Sequence, residues 1–332
     1  MKSPEPRPRP GEFELIAELF APLARDVPGA FGLTDDVAAF APRAGHEIVL
    51  KTDSLIESVH FLRTDPAATV AQKALRRALS DLAAKGAEPY AYLLALALPR
   101  WPDRTWLEEF ARGLRADQAE FGVSLIGGET DATPGPVVIT AATVGYVPEG
   151  MLIRRSGARS GDRVFVSGAI GDAGGGLSLS REEAVHPGGA ARDFLVSRYR
   201  LPIPRLKLGL ALRGLASAAI DVSDGLLADL GHIAETSRVR IEVDAGQMPL
   251  SGSLRELWGE GLEARARAAG AGDDYEIAFT APPSTVEAVL DAGRRTGTPV
   301  TAIGRVIPGH GVAFLDATGQ EISVLRRGHT HF

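Results

Sequence analysis

The sequence predicts a mixed α/β protein of two domains, and three observations support this expectation. The chain has 332 residues, 45% of them hydrophobic, which is enough for two cores of ordinary domain size, about 150 residues each. Strand-like and helix-like segments alternate along both halves. Turn-forming residues cluster at 148–161 between two strand-like segments, so we place the domain boundary near residue 150.

The first half follows a Pro- and Arg-rich tail at residues 1–10, which we expect to be disordered. A helix over 66–85 is predicted because its apolar residues recur at three- and four-residue spacing. A second helix is predicted over 103–121, where Gly122 provides the closing residue. Strands are predicted at 47–53, 90–98, 123–126 and 137–147.

The second half, residues 151–332, is predicted to form another α/β domain. A glycine-dense turn, GDAGGG at 171–176, connects a strand to an apolar helix. Such a turn either exposes backbone N–H groups to an anion or serves only as a tight connection, and the sequence leaves both interpretations open. Strands are predicted at 163–167, 240–243, 275–280, 300–306 and 312–315.

The composition excludes several classes of function. A net charge of −6 argues against a nucleic-acid partner, because affinity for a phosphate backbone comes from excess Lys and Arg. The absence of cysteine excludes disulfides, thiolate zinc sites and cysteine nucleophiles. The longest apolar run, residues 91–98, is shorter than the ~20 residues that span a bilayer. We therefore expect no membrane partner and a cytoplasmic location.

Acidic residues at the junctions of apolar runs are the strongest chemical signal. Taken singly, each has a local explanation: Asp224 could cap a helix, and Asp35 or Asp36 could form an Asx-turn. Gathered together, they would repel one another unless cations neutralised them. Oxygen ligands select hard cations, Mg²⁺ before Ca²⁺. These residues are Asp35, Asp36, Asp53, Asp81, Glu129, Asp221, Asp224, Asp273 and Asp274.

Common nucleotide-binding motifs are absent from the sequence. It contains no Walker A motif, no protein-kinase motif set and no G-x-S-x-G elbow. Any ATP site is therefore built differently. Arg154, Arg155 and Arg159 are candidates to contact phosphate, although they could equally serve the solubility of the segment between the domains.

Ten motifs in a fixed order carry a resemblance that covers residues 11–332. They are GEFELIAELF, DDVAAF, TDSLIESVHF, LSDLAAKGAEP, LIGGETD, RRSGARSGD, GDAGGGL, DVSDGLLADLGHI, GDDYEIAF and GHTHF. Through these motifs and their order the chain resembles the thiamine-monophosphate kinase family, within the superfamily of aminoimidazole ribonucleotide synthetase. Ten ordered motifs are far more specific than any one of them.

The resemblance implies a two-domain fold of the aminoimidazole ribonucleotide synthetase type. Residues 11–150 would bind ATP and metal and would dimerise, their strands pairing across a homodimer into a barrel, and residues 151–332 would form the C-terminal α/β domain. ATP would lie between subunits and domains. The implied reaction converts ATP and thiamine phosphate to ADP and thiamine diphosphate with several Mg²⁺ ions.

The resemblance also implies roles for individual residues, with Asp81 and Asp224 as the catalytic pair. The metal ligands would be Asp35, Asp36, Thr52, Asp53, Asp81, Glu129, Asp221 and Asp224. The nucleotide would contact Gly128, Glu129, Arg155 and Ser223. Thiamine phosphate would contact His60, Asp273 and His329.

Some positions depart from the family pattern and keep alternatives open. Ser58 stands where glycine is usual, Ala78 where asparagine is usual, Glu129 where aspartate is usual, Asp273 where glutamate is usual and His329 where an aromatic residue is usual. The alternatives are a kinase for another small phosphorylated metabolite and a nucleotide-binding regulator without activity. Selenophosphate synthetase and the hydrogenase maturation dehydratase use Cys or Sec, which this chain lacks.

Overall fold

The computed structural model describes residues 11–99, 102–183, 188–324 and 328. The predicted tail at 1–10 lies outside these residues. The fold is mixed α/β, as predicted. The chain divides into two compact units, one comprising residues 1–79 and 88–149 and the other comprising residues 80–87 and 150–332.

The first unit has one sheet and a small set of helices. Among its described residues the strand order is β1-β4-β2-β3, with β2 and β3 parallel and the other neighbours antiparallel. Its strands are β1 (His46–Ile56), β2 (Glu88–Leu98), β3 (Ser124–Ala132) and β4 (Val138–Pro148). Its helical elements are α1 (Glu12–Leu15), a π-helix (Ile16–Phe20), two 3₁₀ segments (Ala21–Leu23 and Pro28–Leu33), α2 (Ala67–Ala84, whose last five residues belong to the second unit) and α3 (Arg104–Phe121).

Helices α2 and α3 confirm the predicted helices to within about one residue at each end. The Asp103 side chain caps α3 by accepting a hydrogen bond from the Trp106 N–H at 2.9 Å. A buried ion pair links the two helices, because Arg76 donates from Nε and Nη2 to the two carboxylate oxygens of Asp117 at 2.9 and 2.8 Å. This pairing satisfies two charges that would be costly to bury alone.

One face of this sheet carries exposed apolar side chains. Leu50 is 72% exposed and Leu93 is 40% exposed. Thr52, Ala142 and Leu93 lie opposite one another across β1, β4 and β2, so they share a face, and Leu50 shares it because side chains alternate along a strand. Within the part of the chain that the structure describes, this apolar face is only partly covered.

The turn after β1 contains a strained residue. Ser58 has φ +67°, in the left-handed region, and its N–H donates to the Phe61 carbonyl at 2.8 Å. A non-glycine residue is disfavoured in this conformation by about 1–2 kcal/mol. Glycine adopts it freely, which accounts physically for the usual glycine at this position.

We expect Ser58→Gly to raise the free energy of unfolding by about 0.5–1 kcal/mol, since relief of strain exceeds the extra entropy of an unfolded glycine. Urea denaturation monitored by circular dichroism measures this change. Ser124→Gly in β3, where φ lies outside the left-handed region, serves as the control and should lower stability. A loss of stability in both variants would contradict the strain argument.

The second unit is built on a mixed sheet. Among its described residues the strand order is β10-β7-β9-β5-β8-β6, with β10 and β7 parallel and the other neighbours antiparallel. The strands are β5 (Arg163–Ser167), β6 (Ala218–Asp221), β7 (Arg240–Asp244), β8 (Ile277–Ala281), β9 (Val300–Ile307) and β10 (Gly311–Leu315). The helices are α4 (Asp172–Ser180), α5 (Gly189–Arg200), α6 (Leu206–Ala211), α7 (Leu226–Ser237), α8 (Gly252–Trp258), α9 (Leu262–Ala269) and α10 (Val286–Thr296), with a 3₁₀ turn at Pro283–Thr285.

The hydrophobic core of this unit lies between the sheet and its helices. Val166 on β5, Ile220 on β6 and Val243 on β7 are at most 1% exposed and belong to one cluster with Leu230 of α7. Burial of such side chains contributes about 1.5–3 kcal/mol each. The core therefore holds β6 and α7 in place, and the loop between them begins the candidate site. None of the helices in the described ranges has the length and apolarity that crossing a bilayer would require.

Candidate functional site

The loop between β6 and α7, residues 222–225, is held by a buried carboxylate. Asp229, in the first turn of α7, accepts hydrogen bonds at Oδ2 from the N–H groups of Ser223, Asp224 and Gly225, at 3.0, 3.1 and 3.1 Å. The N-cap residue of α7 is Gly225, so Asp224 does not take the capping position that was its local alternative. Asp229, a residue of α7 itself, thus accepts hydrogen bonds from the amides of residues 223–225.

Three carboxylates lie close together at this end of β6. Burial raises the pKa of Asp229, the charges of Asp221 and Asp224 raise it further, and the N–H groups of Gly225 and Asp224 lower it. Asp221 is 4% exposed, and Asp224 is partly exposed. Because like charges at short range disfavour ionisation, a cation bound here would relieve the repulsion.

A second loop, residues 272–276, lies against the first. The Asp273 N–H donates to the Ser223 carbonyl at 2.7 Å, and the Tyr275 N–H donates to the Val222 carbonyl at 2.8 Å. Gly272 has φ +76°, and a Cβ atom there would lie 2.7 Å from the Ser223 carbonyl oxygen. Only glycine fits this approach. Two predicted site residues, Ser223 and Asp273, are thus brought together although fifty positions separate them.

The backbone of this second loop is strained at two residues. Asp273 has φ +62° and Tyr275 has φ +53°. The Tyr275 hydroxyl donates to Asp273 Oδ1 at 3.0 Å, which orients the carboxylate. Strained backbone of this kind persists only where surrounding contacts hold it, and it clusters at functional sites.

Asp274 and the glycine-dense turn are bonded to each other. Asp274 is 1% exposed and accepts from the Gly171 N–H at 2.7 Å and from the Ala173 N–H at 3.2 Å. These two amides at the start of α4 are therefore occupied by a carboxylate of the chain itself. A Cβ atom on Gly171 would lie 2.6 Å from the Cβ of Ala268, so tight packing accounts for this glycine.

Glu276 anchors the other end of the second loop. It is fully buried and accepts from Arg205 Nε at 2.7 Å, from Arg198 Nη2 at 3.1 Å and from Ser167 Oγ at 2.6 Å. The Arg198 guanidinium also donates to the Asp274 carbonyl at 3.2 Å. Charge-assisted bonds on several sides fix the segment that carries Asp273.

The first unit presents its candidate ligands on both faces of the sheet. Asp53 pairs with Arg77, with 3.2 Å between Oδ2 and Nε. Thr52 and Asp53 are neighbours on β1 and therefore point to opposite faces. The β register places Glu129 on the same face as Thr52 but at the far edge of the sheet, three strands away and two residues further along, which is about 16 Å at ordinary strand spacing. The sheet does not bring these three residues together.

Three further candidates in this unit are Asp35, Asp36 and Gly128, and for Gly128 the packing of the sheet gives a local explanation. Asp35 and Asp36 are exposed and follow a left-handed turn in which Phe31 has φ +50° and Leu33 has φ +58°. A Cβ atom on Gly128 would lie 1.9 Å from the Leu94 carbonyl oxygen. Close strand packing therefore requires glycine at position 128 whatever it binds.

The remaining candidates occupy separate elements. His60 accepts at Nδ1 from the Ile56 N–H at 3.0 Å, which in a neutral ring leaves the proton on Nε2. Asp81 is half-buried in α2. Arg155 is exposed, and its carbonyl accepts from Ser237 Oγ at 3.4 Å. His329 lies outside the described residues.

The donor set at the β6 loop suits a hard cation. Across residues 11–99, 102–183, 188–324 and 328, no three His, Asp or Glu side chains are grouped so as to hold a metal ion. Mg²⁺ is commonly held by one or two carboxylates and completed by water and phosphate oxygens. Asp221 and Asp224 supply that number of carboxylates.

Sequence reasoning missed the residues that support this loop pair. Asp229, Glu276 and Arg198 were not identified as site residues. Asp229 had a usable signal, since an acid in the first turn of a helix can bond the amides that precede it. The partners of Glu276 lie more than seventy positions away and have no local signal.

Matches to known families cover most of both units. Residues 34–147 match the family model "AIR synthase related protein, N-terminal domain", and residues 159–316 match "AIR synthase related protein, C-terminal domain". The chain is therefore an AIR synthase related protein with both parts of that fold.

Relatives and solved structures narrow the assignment. The chain is 43% identical over 326 residues to thiamine-monophosphate kinase of Caulobacter vibrioides, covering 97% of this chain and 91% of that protein. The crystal structure of thiamine-monophosphate kinase from Stenotrophomonas maltophilia superposes with a TM-score of 0.80 at 41% identity, covering 87% and 90% of the two chains. The structure described as "AaThiL complexed with AMPPCP and TMP" superposes with a TM-score of 0.77 at 30% identity, covering 97% of each chain. The chain belongs to the thiamine-monophosphate kinase family.

Proposed function

We propose that this protein transfers the γ-phosphoryl group of ATP to thiamine phosphate, producing thiamine diphosphate and ADP in the cytoplasm. The observation that carries the proposal is identity of up to 43% with thiamine-monophosphate kinases along nearly the whole chain. A relative in complex with AMPPCP and TMP supports the same pair of substrates. The carboxylates at the end of β6 supply ligands for the divalent cation that would accompany ATP.

The transfer proceeds in line and without a phosphoenzyme. A phosphate oxygen of thiamine phosphate attacks the γ-phosphorus, the bond to the β,γ-bridging oxygen breaks, and ADP leaves with the electron pair. The acceptor phosphate is already ionised near neutral pH, so no general base is required. Catalysis then consists of positioning and charge neutralisation.

The chain's own residues divide the work of binding and orientation. The family resemblance assigns contacts with the acceptor to His60, Asp273 and His329, and the Tyr275 hydroxyl orients the carboxylate of Asp273. Gly128, Glu129, Arg155 and Ser223 contact the nucleotide. In this proposal residues 11–150 form the domain that binds ATP and metal and that dimerises, and residues 151–332 form the C-terminal domain. The exposed guanidinium of Arg155 is suited to contact phosphate oxygens.

Mg²⁺, when bound, would neutralise the charge of the phosphate oxygens. Asp221 and Asp224 would hold it at the β6 loop, and Asp81 and Asp224 are the residues on which turnover depends. The further ligands in this proposal are Asp35, Asp36, Thr52, Asp53 and Glu129. Asp53 already forms an ion pair with Arg77, so a cation there would share the carboxylate with that guanidinium.

The direct test is an acceptor assay with purified protein. Protein is incubated with ATP, Mg²⁺ and thiamine phosphate, and thiamine diphosphate is quantified by chromatography. Formation of thiamine diphosphate that disappears with EDTA supports the proposal. A parallel panel of other phosphorylated alcohols tests the alternative acceptor that the substitutions Ser58, Asp273 and His329 leave open. Nucleotide binding without any product would indicate a regulator instead.

We also propose that the protein is a homodimer in which the apolar sheet face of the first unit meets a second copy. The exposed Leu50 on the edge strand β1 supports this arrangement, since large apolar side chains on an open edge usually mark an interface. Pairing of the edge strand β1 with a second copy would extend the sheet into the barrel implied by the family resemblance.

Light scattering coupled to gel filtration should give twice the 35.0 kDa mass of the chain. Leu50→Glu should shift the protein to the monomer mass, because it places a charge in the buried part of the interface. Leu262→Glu on α9, where Leu262 is 47% exposed, should leave the dimer intact. A wild-type monomer, or a Leu50→Glu dimer, would contradict this assembly.

A further inference from the structure

Asp229 bonds three of the four amides of the loop between β6 and α7 through a single oxygen atom. Its Oδ2 accepts from residues 223, 224 and 225 at 3.0–3.1 Å, and its side chain is 2% exposed. A carboxylate bonded to three consecutive amides fixes their orientation. It therefore also fixes the direction in which the side chains of Ser223 and Asp224 leave the backbone.

The same contacts make these amides unavailable to phosphate. The N-terminal amides of a helix ordinarily attract an anion, but here the amides that precede and begin α7 are occupied by Asp229. The start of α4 has a related arrangement, in which Asp274 occupies the amides of Gly171 and Ala173. Carboxyl groups of the chain thus occupy amides at the N-terminal ends of both α4 and α7.

We propose that Asp229 is a positioning residue that orients Asp224 toward a divalent cation held jointly with Asp221, so that phosphate reaches this loop through the cation and not through the amides. The inference rests on the proposed function and deepens it by naming the residue that supports the metal ligands. Asp229 lies behind the loop and acts through its backbone. Removal of such supporting partners typically weakens metal binding about 10–100-fold.

Two substitutions separate geometry from charge. Asp229→Asn keeps an oxygen that can accept the three amide bonds but removes the charge. Asp229→Glu keeps the charge but moves the oxygens by one methylene in a buried site. A positioning role predicts that Asp229→Glu weakens cation binding more than Asp229→Asn does. If Asp229 acted through its charge alone or as a direct ligand, Asp229→Asn would weaken cation binding more.

The test measures Mn²⁺ binding in the presence of AMPPCP, using the electron paramagnetic resonance signal of free Mn²⁺. Asp229→Glu should raise the dissociation constant for Mn²⁺ at least about 10-fold, whereas Asp229→Asn should stay within about 3-fold of wild type. Circular dichroism verifies that each variant is folded. Asp316→Asn is the matched control, because Asp316 also accepts from several turn groups, those of Thr318 and Gln320, in an exposed turn that follows the opposite edge strand, β10.

Equal Mn²⁺ affinity in folded wild type and Asp229→Glu would overturn the positioning role and leave the kinase proposal standing. A greater loss in Asp229→Asn than in Asp229→Glu would also overturn it. If wild type makes no thiamine diphosphate but the Mn²⁺ pattern holds, the acceptor assignment fails and the role of Asp229 stands. Absence of Mn²⁺ binding in wild type would overturn both this role and the metal part of the proposed function.

Discussion

Asp224→Asn should lower kcat for thiamine diphosphate formation by at least about 1000-fold, while the protein stays folded. The substitution removes the negative charge that would hold a cation against the nucleotide but keeps the size of the side chain. The fold should survive because Asp224 is partly exposed and the loop amides are bonded to Asp229. Asp81→Asn should have the same effect, since Asp81 is the other residue assigned to the catalytic pair.

Initial rates with saturating ATP and Mg²⁺ measure this effect, and thermal unfolding verifies the fold. Asp193→Asn is the control, because Asp193 is an exposed residue of α5 without an assigned role. It should retain wild-type rates. Rates near wild type in both Asp81→Asn and Asp224→Asn would refute the assignment of a metal-dependent catalytic pair.

Glu276→Gln should lower the free energy of unfolding by about 3–5 kcal/mol, the range measured when one partner of a buried ion pair is removed. Glu276 is fully buried and accepts hydrogen bonds from Arg198 and Arg205. Its neutral replacement removes the carboxylate that both guanidinium groups contact in this buried site. Activity should fall as well, because Glu276 anchors the loop that carries Asp273.

Urea unfolding compares this variant with Glu242→Gln. Glu242 lies on β7 and also faces two arginines, Arg305 at 2.8 Å and Arg240 at 3.9 Å, but Arg305 is largely exposed. Water screens such a surface pair, so its loss should change stability by less than about 1 kcal/mol. Equal losses in the two variants would show that burial does not set the energetic importance of Glu276.

The sequence predicted the larger elements because their signals are local. Helix α2 was predicted from the three- and four-residue spacing of its apolar side chains, and the structure confirms it at Ala67–Ala84. Strand β6 was missed because it has only four residues, Ala218–Asp221, which is too short for a periodic pattern. Strand β3 extends beyond the predicted 123–126 to Ala132, since pairing with β2 carries it through a segment whose glycines resemble a loop.

For the candidate site, too, local signals could be predicted from the sequence and long-range contacts could not. The acidic positions could be identified because charged residues at the ends of apolar runs are unusual. The contact of Ser223 with Asp273 could not be identified from the sequence, because it depends on how two distant loops pack at Gly272 and Gly225. The metal-ligand assignments for Asp35, Thr52, Asp53, Glu129 and the others stay predictions, and within the first unit the sheet separates several of them.

Transfer of label from ATP carrying ³²P at the γ position tests the central claim most directly. With Mg²⁺ and thiamine phosphate present, the label should appear in thiamine diphosphate, and none should remain covalently bound to the protein after denaturation. Label found only in inorganic phosphate, or on the protein itself, would contradict direct transfer between nucleotide and acceptor.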